Sequence, residues 1–425
     1  MTRIALCPSE PIRRRMAGIG IRYYELARRL PRPGLEIVLL NPGDVDQAKA
    51  LDGMDGVDVR RFEPDRLREL VADCQGAVAQ GQLANNLLVE VPELPTAIDL
   101  YDPFLVENLN YFDTLGLDPY RNDHATWVLQ MAEGDFFLCS SDEQRQFYLG
   151  FLSAVGRLNP RRLKSDPDLA GLIQRVPFGV PEQLPPHQPL LPERAKGERR
   201  LLFGGLYDWY DPWTVLQALE QLDPPQWILY FIRNPNPDST PQTLAREVEA
   251  WCTERGWWGE RVQMLDWVRA ERRYDLLREV DLLVSTHRIN LETRLSLRTR
   301  FLDAMAAGCP VVTSEGGAMS RLLEQHGAGW VVPEEDPAAL AEAFQSVLTR
   351  DDERSARGRA AEELLEAFSW ERVLEPLVRF CQAPQLDPTK AEFAFRPTTQ
   401  TPPDALGFRI KRRLKQWLRS ARGIA

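Results

Sequence analysis

The chain has 425 residues, 44% hydrophobic and 27% charged, so it can bury a sizeable core and is long enough for two domains of about 180 residues each. Its formal net charge of −10 argues against a general nucleic-acid binder, and without a run of about 18 apolar residues we expect no transmembrane helix. Six scattered cysteines with no CxxC pair are typical of reduced, buried thiols in a cytoplasmic protein.

Apolar strands alternate with amphipathic helices through the first half of the chain. Strands are predicted at RIALCPS, LEIVLL, GAVAQG, TAIDLYDP and DFFLCSS, and a helix at GIRYYELARRL. Because these strands are continuously apolar, they indicate a sheet covered on both faces, built from parallel βαβ units. We therefore predict an α/β, doubly wound domain for residues 1–183.

The same pattern restarts after a segment rich in proline and charge, residues 184–199, which predicts an interdomain linker. Strands are then predicted at RLLFGGL, WILYFIR, RVQMLDWV, VDLLVST, CPVVTS and GWVV. A second doubly wound domain is expected over residues 200–383, with SWERVLEPLVRF as a helix that packs back across the domain junction. Residues 384–407 are rich in Pro and Thr and predicted to be disordered, and residues 408–425 are predicted to form a basic amphipathic helix.

The most informative stretch is RTRFLDAMAAGCPVVTSEGG, which begins at Arg298. Arg298 and Arg300 stand in the first turn of a predicted helix capped by Ser296, where free N–H groups and the helix dipole attract an anion. Guanidinium groups add bidentate bonds of the geometry that a diphosphate requires. Asp303 follows one turn later, where a carboxylate can accept hydrogen bonds from vicinal sugar hydroxyls.

The turn formed by Glu315, Gly316 and Gly317 follows the next predicted strand, and glycine allows its backbone amides to approach a ligand closely. Together with the two arginines it predicts a site that holds a nucleotide diphosphate from both ends. The alternative is that the arginines and the aspartate of the helix form only surface ion pairs at i,i+3 spacing.

Candidate residues of the first domain also stand where predicted strands end, which is where ligands bind in doubly wound sheets. Gly18 and Gly20 precede the first helix and form either a substrate-approach turn or a plain tight turn. Asp99 and Asp102, in AIDLYDP, are candidates for a catalytic acid or base that reaches an acceptor hydroxyl. The alternative for either aspartate is to cap the helix that follows.

In the second domain, GGLYDWYDP places Gly205, Asp208 and Trp209 at the end of the first strand, as candidate donor-binding residues. Asp211 is predicted to cap the helix that begins at Pro212, whether or not this segment also binds the donor.

His287 follows the strand VDLLVST and precedes Glu292, and both are candidate donor-binding residues. For the histidine, a purely structural role is the alternative.

With these residues in view, the chain resembles a glycosyltransferase of the GT-B architecture, of the family-4 type (glycosyl transferases group 1). LDAMAAGCPVVTSEGG and LLEQHGAGWVVPEEDPAALAEAF carry the resemblance, since they match that family's acid, AMA-G helix, PVV strand and Gly-rich turn. GIGIRYYELARRL resembles the family's first loop and helix. The resemblance covers about residues 1 to 383 and implies two Rossmann-like domains facing across a cleft, the first binding the acceptor and the second the donor.

The resemblance assigns roles to matching positions. Asp303 matches the family's second glutamate, which holds the nucleotide ribose, and Glu315, Gly316 and Gly317 match the turn near the donor. The chain departs from the family where the first glutamate would fall on Leu295.

A second departure is the lack of the family's usual Arg and Lys in FGGLYDWYDP. HRINLETRLSLRTRFLD instead resembles a bacterial polysaccharide-type subgroup with E-T-R-x-S-x-R-T-R-x-x-D. We therefore expect Arg298 and Arg300 to hold the diphosphate and Glu292 to replace the missing glutamate. These departures leave retention or inversion at the sugar carbon open.

The predicted activity is transfer of a sugar from a nucleotide-diphosphate sugar, a co-substrate, to a glycan or lipid-linked acceptor in surface-polysaccharide or glycolipid assembly. No cofactor and no metal are assigned, although DVD at Asp44 and DPD at Asp166 match the short metal motif of some sugar transferases. We expect a cytoplasmic protein whose basic segment 408–422 contacts the inner face of the membrane. A solubilising tail or a partner-binding helix is the alternative.

Two rival functions fit the same predicted fold. A nucleotide-sugar 2-epimerase would need no acceptor, and a non-catalytic two-domain protein would close on a nucleotide sugar as a sensor. A nicotinamide dehydrogenase is disfavoured, because neither domain carries a full GxGxxG with its later acid.

Overall fold

The structure is a computed structural model that describes residues 1–109, 112–222, 227–234 and 242–395. The predicted basic tail and the later half of the Pro/Thr-rich segment before it lie outside the described residues.

The first sheet has seven parallel strands in the order β3-β2-β1-β4-β5-β6-β7. Its strands are β1 (Thr2–Cys7), β2 (Leu35–Asn41), β3 (Asp58–Arg61), β4 (Gly76–Ala79), β5 (Thr96–Asp99), β6 (Phe136–Cys139) and β7 (Ile173–Arg175). The strand order reverses between β1 and β4, so this is a doubly wound sheet, and ligands are expected beyond its carboxyl ends.

The second sheet has six parallel strands in the order β10-β9-β8-β11-β12-β13. Its strands are β8 (Arg199–Gly205), β9 (Trp227–Ile232), β10 (Val262–Leu265), β11 (Leu282–Ser285), β12 (Val311–Ser314) and β13 (Trp330–Val332). The order reverses between β8 and β11, which makes this sheet doubly wound as well.

Helices follow the strands in both halves. In the first half they are α1 (Gly18–Arg29), α2 (Val45–Lys49), α3 (Leu67–Leu70), α4 (Gly81–Glu90), α5 (Phe104–Asn108), α6 (Phe112–Leu115), α7 (Leu117–Glu133), α8 (Asp142–Ala154) and α9 (Pro160–Ser165). In the second half they are α10 (Pro212–Gln221), α11 (Thr243–Glu254), α12 (Arg273–Glu279), α13 (Leu291–Leu295), α14 (Thr299–Ala306), α15 (Ala318–His326), α16 (Pro337–Thr349), α17 (Asp351–Glu366), α18 (Trp370–Gln382) and α19 (Lys390–Phe393).

Both faces of the first sheet are buried. In β1, Ile4 and Leu6 belong to one apolar cluster, while Ala5 and Cys7 belong to the cluster on the opposite face. This explains why the strands are apolar at every position rather than at alternate ones. The α/β, doubly wound fold predicted from the sequence is confirmed.

Strands β3 and β7 were not predicted from the sequence. Their sequences, DVRR and IQR, are short and charged, and in each only one residue is buried. Both lie at the edges of the sheet, where a strand needs no continuous apolar run.

The predicted return of the chain across the domain junction is confirmed. Helix α18 packs against β1 and β7 of the first sheet. At its start, Trp370 packs against Phe178 with ring centroids 5.1 Å apart, and Val180 and Ser369 form an isolated parallel bridge.

The prediction of disorder is wrong for residues 384–395, which pack on the first domain. The carboxylate of Asp387 lies 2.6 Å from Arg157, and both side chains are fully buried. The ammonium group of Lys390 lies 2.8 Å from the Asp135 carboxylate. Composition alone suggested disorder because the segment has few apolar residues, whereas its polar groups meet buried partners that are distant in sequence.

The carboxyl ends of the two sheets face each other. Helix α13, which follows β11, packs against α5 and α8, which follow β5 and β6. The side chains of Tyr101 and Thr299 share a hydrogen bond, and Arg321 lies 2.5 Å from Glu143 across the junction. The candidate residues from both domains are therefore directed toward one cleft.

Candidate functional site

The two arginines predicted to bind a diphosphate converge on one tyrosine. Arg298 Nη1 donates to Tyr210 Oη over 3.0 Å, and Arg300 Nη2 donates to the same oxygen over 2.8 Å. Both guanidinium groups also lie over the ring, 4.6 Å from its centroid. Tyr210 was not among the predicted site residues, although its position in WYDP, next to the predicted Trp209, was a signal.

The site carries more positive than negative charge. Arg298 pairs with Glu292 over 2.8 Å. Arg300 has only neutral hydrogen-bond partners, the Phe203 carbonyl at 2.9 Å and the Tyr210 hydroxyl, and no carboxylate among the described residues lies within 4.0 Å of it. In addition, Arg298 Nε is buried without a partner in the described part of the chain. Two cations facing one carboxylate favour binding of a further anion.

The predicted cap of α14 by Ser296 is wrong. Ser296 ends the preceding helix, α13, and its hydroxyl donates to Glu292 over 2.6 Å. Arg298 itself occupies the position before the first helical residue, and its side chain makes no capping hydrogen bond to the described start of α14. The free N–H groups of this helix therefore lie beside the two guanidinium groups.

Glycine at the end of β8 allows Arg300 to approach the backbone. Gly204 has φ +92°, and a Cβ atom there would lie 2.9 Å from Arg300 Nη1. A Cβ atom at Gly205 would lie 3.0 Å from the ring of Tyr207, which stacks on Trp209 with centroids 4.9 Å apart. The predicted residues Gly205 and Trp209 are thus close to the arginines through an aromatic stack.

The two aspartates that flank Trp209 stabilise helix starts. Asp211 accepts from the N–H of Thr214 over 3.3 Å, with Pro212 first in the helix, so its predicted capping role is confirmed. Asp208 accepts from the N–H of Leu244, near the start of α11, over 3.3 Å. The donor contact predicted for Asp208 has no direct support from this geometry.

His287 is neutral and lies against the Gly-rich turn. Its Nε2 is 3.1 Å from the Glu315 carbonyl and therefore donates to it, and its backbone N–H donates to Ser314 Oγ over 2.9 Å. Burial, together with the nearby Arg298 charge, lowers the pKa of His287 to about 3. Its Nδ1 is a buried acceptor without a partner among the described residues.

The turn at residues 315–317 is shaped by packing on its own domain. Gly316 has φ +90°, and a Cβ atom there would lie 2.5 Å from Ile289. The N–H of Gly317 donates to Ser320 Oγ over 2.8 Å, so this amide is occupied within the protein. The side chain of Glu315 is exposed. The structure places the turn beside His287, as expected for one site, while a direct ligand contact of its amides stays a prediction.

Asp303 is on α14 but already has protein partners. Its carboxylate lies 3.1 Å from Arg273 and shares a hydrogen bond with the Tyr274 hydroxyl. Arg273 also lies 3.9 Å from Glu25 of α1. The predicted contact with a nucleotide ribose stays a prediction, and it requires this carboxylate to bind both Arg273 and the sugar.

The start of α1 is occupied by a carboxylate of the chain itself. Glu10 accepts from the N–H groups of Ala17 and Gly20, each over 2.7 Å. A Cβ atom at Gly20 would lie 2.8 Å from Met16, so this glycine is needed for local packing, and its predicted role in substrate approach is not supported. Gly18, in contrast, lies at the cleft, where a Cβ atom would be 3.7 Å from the Tyr101 hydroxyl.

The geometry of Asp99 contradicts the catalytic role predicted for it. Both of its carboxylate oxygens bind Arg22, over 2.7 and 3.1 Å, and both side chains are buried. Arg22 donates further to the Val176 carbonyl over 2.8 Å. Asp99 is therefore the anion of a structural ion pair, which its sequence position at a strand end did not distinguish from a catalytic group.

Asp102 lies in the cleft in a different environment. Its carboxyl group shares a hydrogen bond with that of Glu107, and burial raises the pKa of Asp102 to about 6. Glu292 and Asp99 add to this effect through their negative charges. Asp102 was predicted from the sequence, whereas Glu107, which lies one turn into the short helix α5, was not.

The two acidic motifs have local roles. Asp44 accepts from the N–H of Gln47 at the start of α2, and Asp166 accepts from those of Ala170 and Gly171. Within the described residues, no group of three His, Cys, Asp or Glu side chains is arranged to hold a metal ion.

In the same part of the chain, no helix has the length and apolar character needed to cross a membrane.

The second domain is similar in sequence to a known protein family. Residues 200–350 match the family described as Glycosyl transferases group 1. The chain is 33% identical over 93 residues to a phosphatidyl-myo-inositol mannosyltransferase of Mycobacterium leprae, and 34% identical over 77 residues to a D-inositol 3-phosphate glycosyltransferase of Corynebacterium urealyticum. These matches cover 22% and 18% of this chain, and 25% and 18% of those proteins.

Solved structures match nearly the whole chain. Sucrose-phosphate synthase from Thermosynechococcus elongatus has a TM-score of 0.61 at 16% identity, over 89% of this chain and 98% of that one. Anabaena Alr3699/HepE, solved with UDP-glucose, has a TM-score of 0.62 at 16% identity, over 89% and 100%. The GT-B fold of two Rossmann-like domains is therefore confirmed, as is the resemblance to glycosyl transferases group 1 over residues 200–350.

Proposed function

We propose that this chain is a glycosyltransferase that moves a sugar from a nucleotide-diphosphate sugar to a hydroxyl group of an acceptor. The observation that carries the proposal is the pair of guanidinium groups at the carboxyl end of β8. Among the described residues Arg298 has one carboxylate partner, Glu292, and Arg300 has none, and the uncapped start of α14 lies beside both. This arrangement suits the diphosphate of the donor.

The arginines would act on the leaving group. As the bond between the sugar carbon and the phosphate oxygen breaks, its electron pair moves to the β-phosphate, where negative charge accumulates. Cations that are already fixed in position stabilise this charge without reorganisation. Tyr210 holds both guanidinium groups in place, and Glu292 orients Arg298, so the site is preorganised in this sense.

Other residues of the second domain would hold the remainder of the donor. The unpartnered Nδ1 of the neutral His287 is suited to accept a hydrogen bond from a sugar hydroxyl. Asp303 would contact the ribose, and the turn at residues 315–317 would close over the sugar. The comparisons support a nucleotide-sugar donor, since Alr3699/HepE was solved in complex with UDP-glucose.

The first domain would bind the acceptor. A glycan or lipid-linked acceptor, and a role in surface-polysaccharide or glycolipid assembly, are supported by the names of two relatives that act on inositol-containing molecules. We further propose a cytoplasmic location, with the basic segment 408–422 contacting the inner face of the membrane. The seven Lys or Arg residues of the C-terminal tail, none accompanied by an acid, support that contact.

The experiment is a thermal-shift panel of UDP, GDP, dTDP, ADP and CMP with their sugars. Arg300→Gln is the test variant, because Arg300 has no carboxylate partner among the described residues that its removal would leave unpaired. Arg288→Gln is the matched control, since Arg288 lies in the same domain but is exposed and pairs with Glu335 at the surface. A ligand at about 100 times its Kd adds about 2.7 kcal/mol of stability, or several degrees for domains of this size.

We expect one class of nucleotide to stabilise the wild type and Arg288→Gln but to lose most of its effect on Arg300→Gln. If no nucleotide shifts the wild type, or if all three proteins respond equally, the proposed donor site is wrong.

A further inference from the structure

We propose that Arg273 couples recognition of the donor's ribose by Asp303 to Glu25 of the first domain, so that the protein selects nucleotides with both ribose hydroxyl groups. This inference rests on the proposed function, because it concerns the same donor. It goes beyond that function by adding two residues, Arg273 and Glu25, and by naming ribonucleotides as the donor class.

Arg273, the first residue of α12, lies between two carboxylates of different domains. Its Nε is 3.1 Å from Asp303 Oδ1 on α14, and its Nη2 is 3.9 Å from Glu25 Oε1 on α1. The side chains of Arg273, Asp303 and Glu25 are only 16%, 13% and 3% exposed. Charges this close and this poorly solvated interact more strongly than charges at the surface. A change at one carboxylate therefore affects the other through the shared cation.

The contact between Arg273 and Asp303 leaves hydrogen-bonding capacity unused. Although Arg273 Nε and Asp303 Oδ1 are 3.1 Å apart, both atoms are buried without a hydrogen-bond partner among the described residues, because they are not aligned for a hydrogen bond. A buried acceptor without a donor is costly. A ribose hydroxyl that reached this oxygen would supply the donor, and two vicinal hydroxyls match the two oxygens of a carboxylate.

Arg273 is held in place by its own helix rather than by hydrogen bonds to Asp303. Its Nη1 donates to the Ala270 carbonyl over 2.7 Å, and its Nη2 donates to the Tyr274 hydroxyl over 2.8 Å. The guanidinium group also lies 4.3 Å from the centroid of the Tyr274 ring. It can therefore neutralise the charge of Asp303 while the hydrogen bonds of that carboxylate go to a ligand.

Glu25 has one oxygen that is less closely engaged than the other. Its Oε2 accepts from Arg28 over 2.9 Å and from Arg29 over 2.7 Å. Its Oε1 has longer contacts, 3.4 Å to Arg28 and 3.9 Å to Arg273. A small movement of Arg273 toward Oε1 would bring this contact to hydrogen-bond length and keep the ion pair with Asp303.

Binding of ribose requires a movement in that direction. Asp303 Oδ1 is buried against Arg273, so a ribose hydroxyl reaches this oxygen when the guanidinium group shifts toward Glu25. Ribose binding and the contact between the domains then strengthen each other, since coupling between two sites is reciprocal. A nucleotide that lacks one of the two hydroxyls gains less from this coupling.

The experiment compares two ligands of the full chain by isothermal titration calorimetry. They are the nucleoside diphosphate that stabilises the wild type best and its 2′-deoxy counterpart, which share base and diphosphate, so the ratio of their Kd values reports the ribose hydroxyl. The test variants are Glu25→Gln, Arg273→Gln and the double variant. Arg278→Gln is the matched control, because Arg278 is on the same helix but donates to the Pro185 carbonyl.

We expect the wild type and Arg278→Gln to bind the ribonucleotide about tenfold or more tightly than the deoxyribonucleotide, as for a hydrogen bond to a charged group. Glu25→Gln is expected to reduce this ratio by about threefold or more. The reason is that Asp303 is then the one described ion-pair partner of Arg273, which competes with ribose for it.

The double variant separates coupling from a structural role. In the Arg273→Gln background, Glu25→Gln is expected to leave the ratio unchanged, because the cation between the two carboxylates is missing. A merely structural role would weaken binding of both nucleotides alike. A ratio that Glu25→Gln does not alter, or alters equally in both backgrounds, would overturn the inference.

A second measurement uses the wild type alone and does not depend on how the variants fold. Hydrogen exchange of the backbone amides in the half of α1 that carries Glu25 is followed by mass spectrometry, with each nucleotide at saturation. We expect slower exchange with the ribonucleotide than with the deoxyribonucleotide, although the donor site is on the other domain. Equal exchange with the two ligands would overturn the coupling.

Failure of the proposed function gives a different pattern. If no nucleotide binds the wild type, the donor site at Arg298 and Arg300 is wrong, and this inference falls with it. If a nucleotide binds the wild type but not Arg300→Gln, and its 2′-deoxy counterpart binds equally well, the proposed function stands and this inference alone is overturned.

Discussion

Gly204 and Arg300 are packed so closely that a Cβ atom on the glycine would lie 2.9 Å from Arg300 Nη1. The glycine lies near the end of the first strand of the second domain with φ +92°, a left-handed conformation that other residues adopt only at a cost. The position of the guanidinium group thus depends on the absence of a side chain at residue 204.

Gly204→Ala is expected to reduce both stability and nucleotide binding. The left-handed backbone alone costs about 1–2 kcal/mol for alanine, and displacement of Arg300 removes part of the diphosphate site. Gly56→Ala is the control, since Gly56 has φ +89° and a Cβ atom there would have no described atom within 4 Å beyond its chain neighbours. Thermal unfolding with and without nucleotide separates the two effects. Equal nucleotide shifts in the two variants would show that the close approach does not matter.

The buried pair of Arg22 and Asp99 is expected to dominate the stability of the first domain. Arg22→Met leaves the Asp99 carboxylate buried without its cation, which costs about 3–5 kcal/mol. Glu69→Gln is the control, because Glu69 pairs with Arg66 on the exposed surface, where such pairs contribute about 0–1 kcal/mol. Denaturant unfolding measures both. A loss below about 1 kcal/mol for Arg22→Met would contradict the structural role given to Asp99.

Removal of Glu107 is expected to make the protein more stable at alkaline pH. The folded protein holds the protons of Asp102 and Glu107 more tightly than the unfolded chain, where carboxyl groups titrate near pH 4. Because the folded state binds more protons, stability falls as pH rises through about 6.

Glu107→Gln keeps the hydrogen-bonding shape without the charge and is expected to unfold at a higher temperature than the wild type at about pH 8. The difference is expected to shrink at about pH 5. A variant that is less stable than the wild type at both values would contradict the predicted linkage.

The segment that follows α18 is expected to stabilise the first domain in an acid-sensitive way. The guanidinium groups of Arg157 and Arg162 outweigh burial and lower the pKa of Asp387 to about 2. For a depressed carboxyl pKa, the stabilisation is complete above the unfolded value near 4 and is lost as pH falls toward 2.

Asp387→Asn is therefore expected to lower the unfolding temperature at neutral pH and to reduce the loss of stability on acidification. Glu392→Gln is the control, because Glu392 pairs with Arg161 on the exposed surface. If Asp387→Asn and Glu392→Gln are equally stable at pH 7, the segment does not hold the first domain as described.

Much of the fold was predictable from the sequence because it follows from local patterns of apolar residues. Continuous apolar strands such as GAVA and FFLC required two covered faces, and both strands are wholly buried. Edge strands such as DVRR were not predicted, because they lack a continuous apolar run and are stabilised by pairing with a neighbouring strand of the sheet. Residues 384–395 escaped it because Asp387 and Lys390 meet partners more than 200 residues away.

The candidate site was predictable only in part, for the same reason. The structure does bring Arg298, Arg300, His287 and the turn at residues 315–317 to one end of the second sheet. His287 and the turn follow β11 and β12, and the two arginines lie on the segment that joins those strands. The sequence did not show that Asp99 is bound by Arg22, whereas Asp102 three residues later is left with another carboxyl group. The two aspartates thus differ in their partners, which the residue type alone does not show.

The main role proposed for Arg298 and Arg300 is to hold the diphosphate of a sugar donor. The most direct measurement is a crystal structure of the protein with the nucleoside diphosphate that stabilises it best. We expect a phosphate oxygen within hydrogen-bond distance of both arginines, at the carboxyl end of β8. A nucleotide whose phosphates lie elsewhere, such as at the start of α1 with Glu10 displaced, would contradict this role.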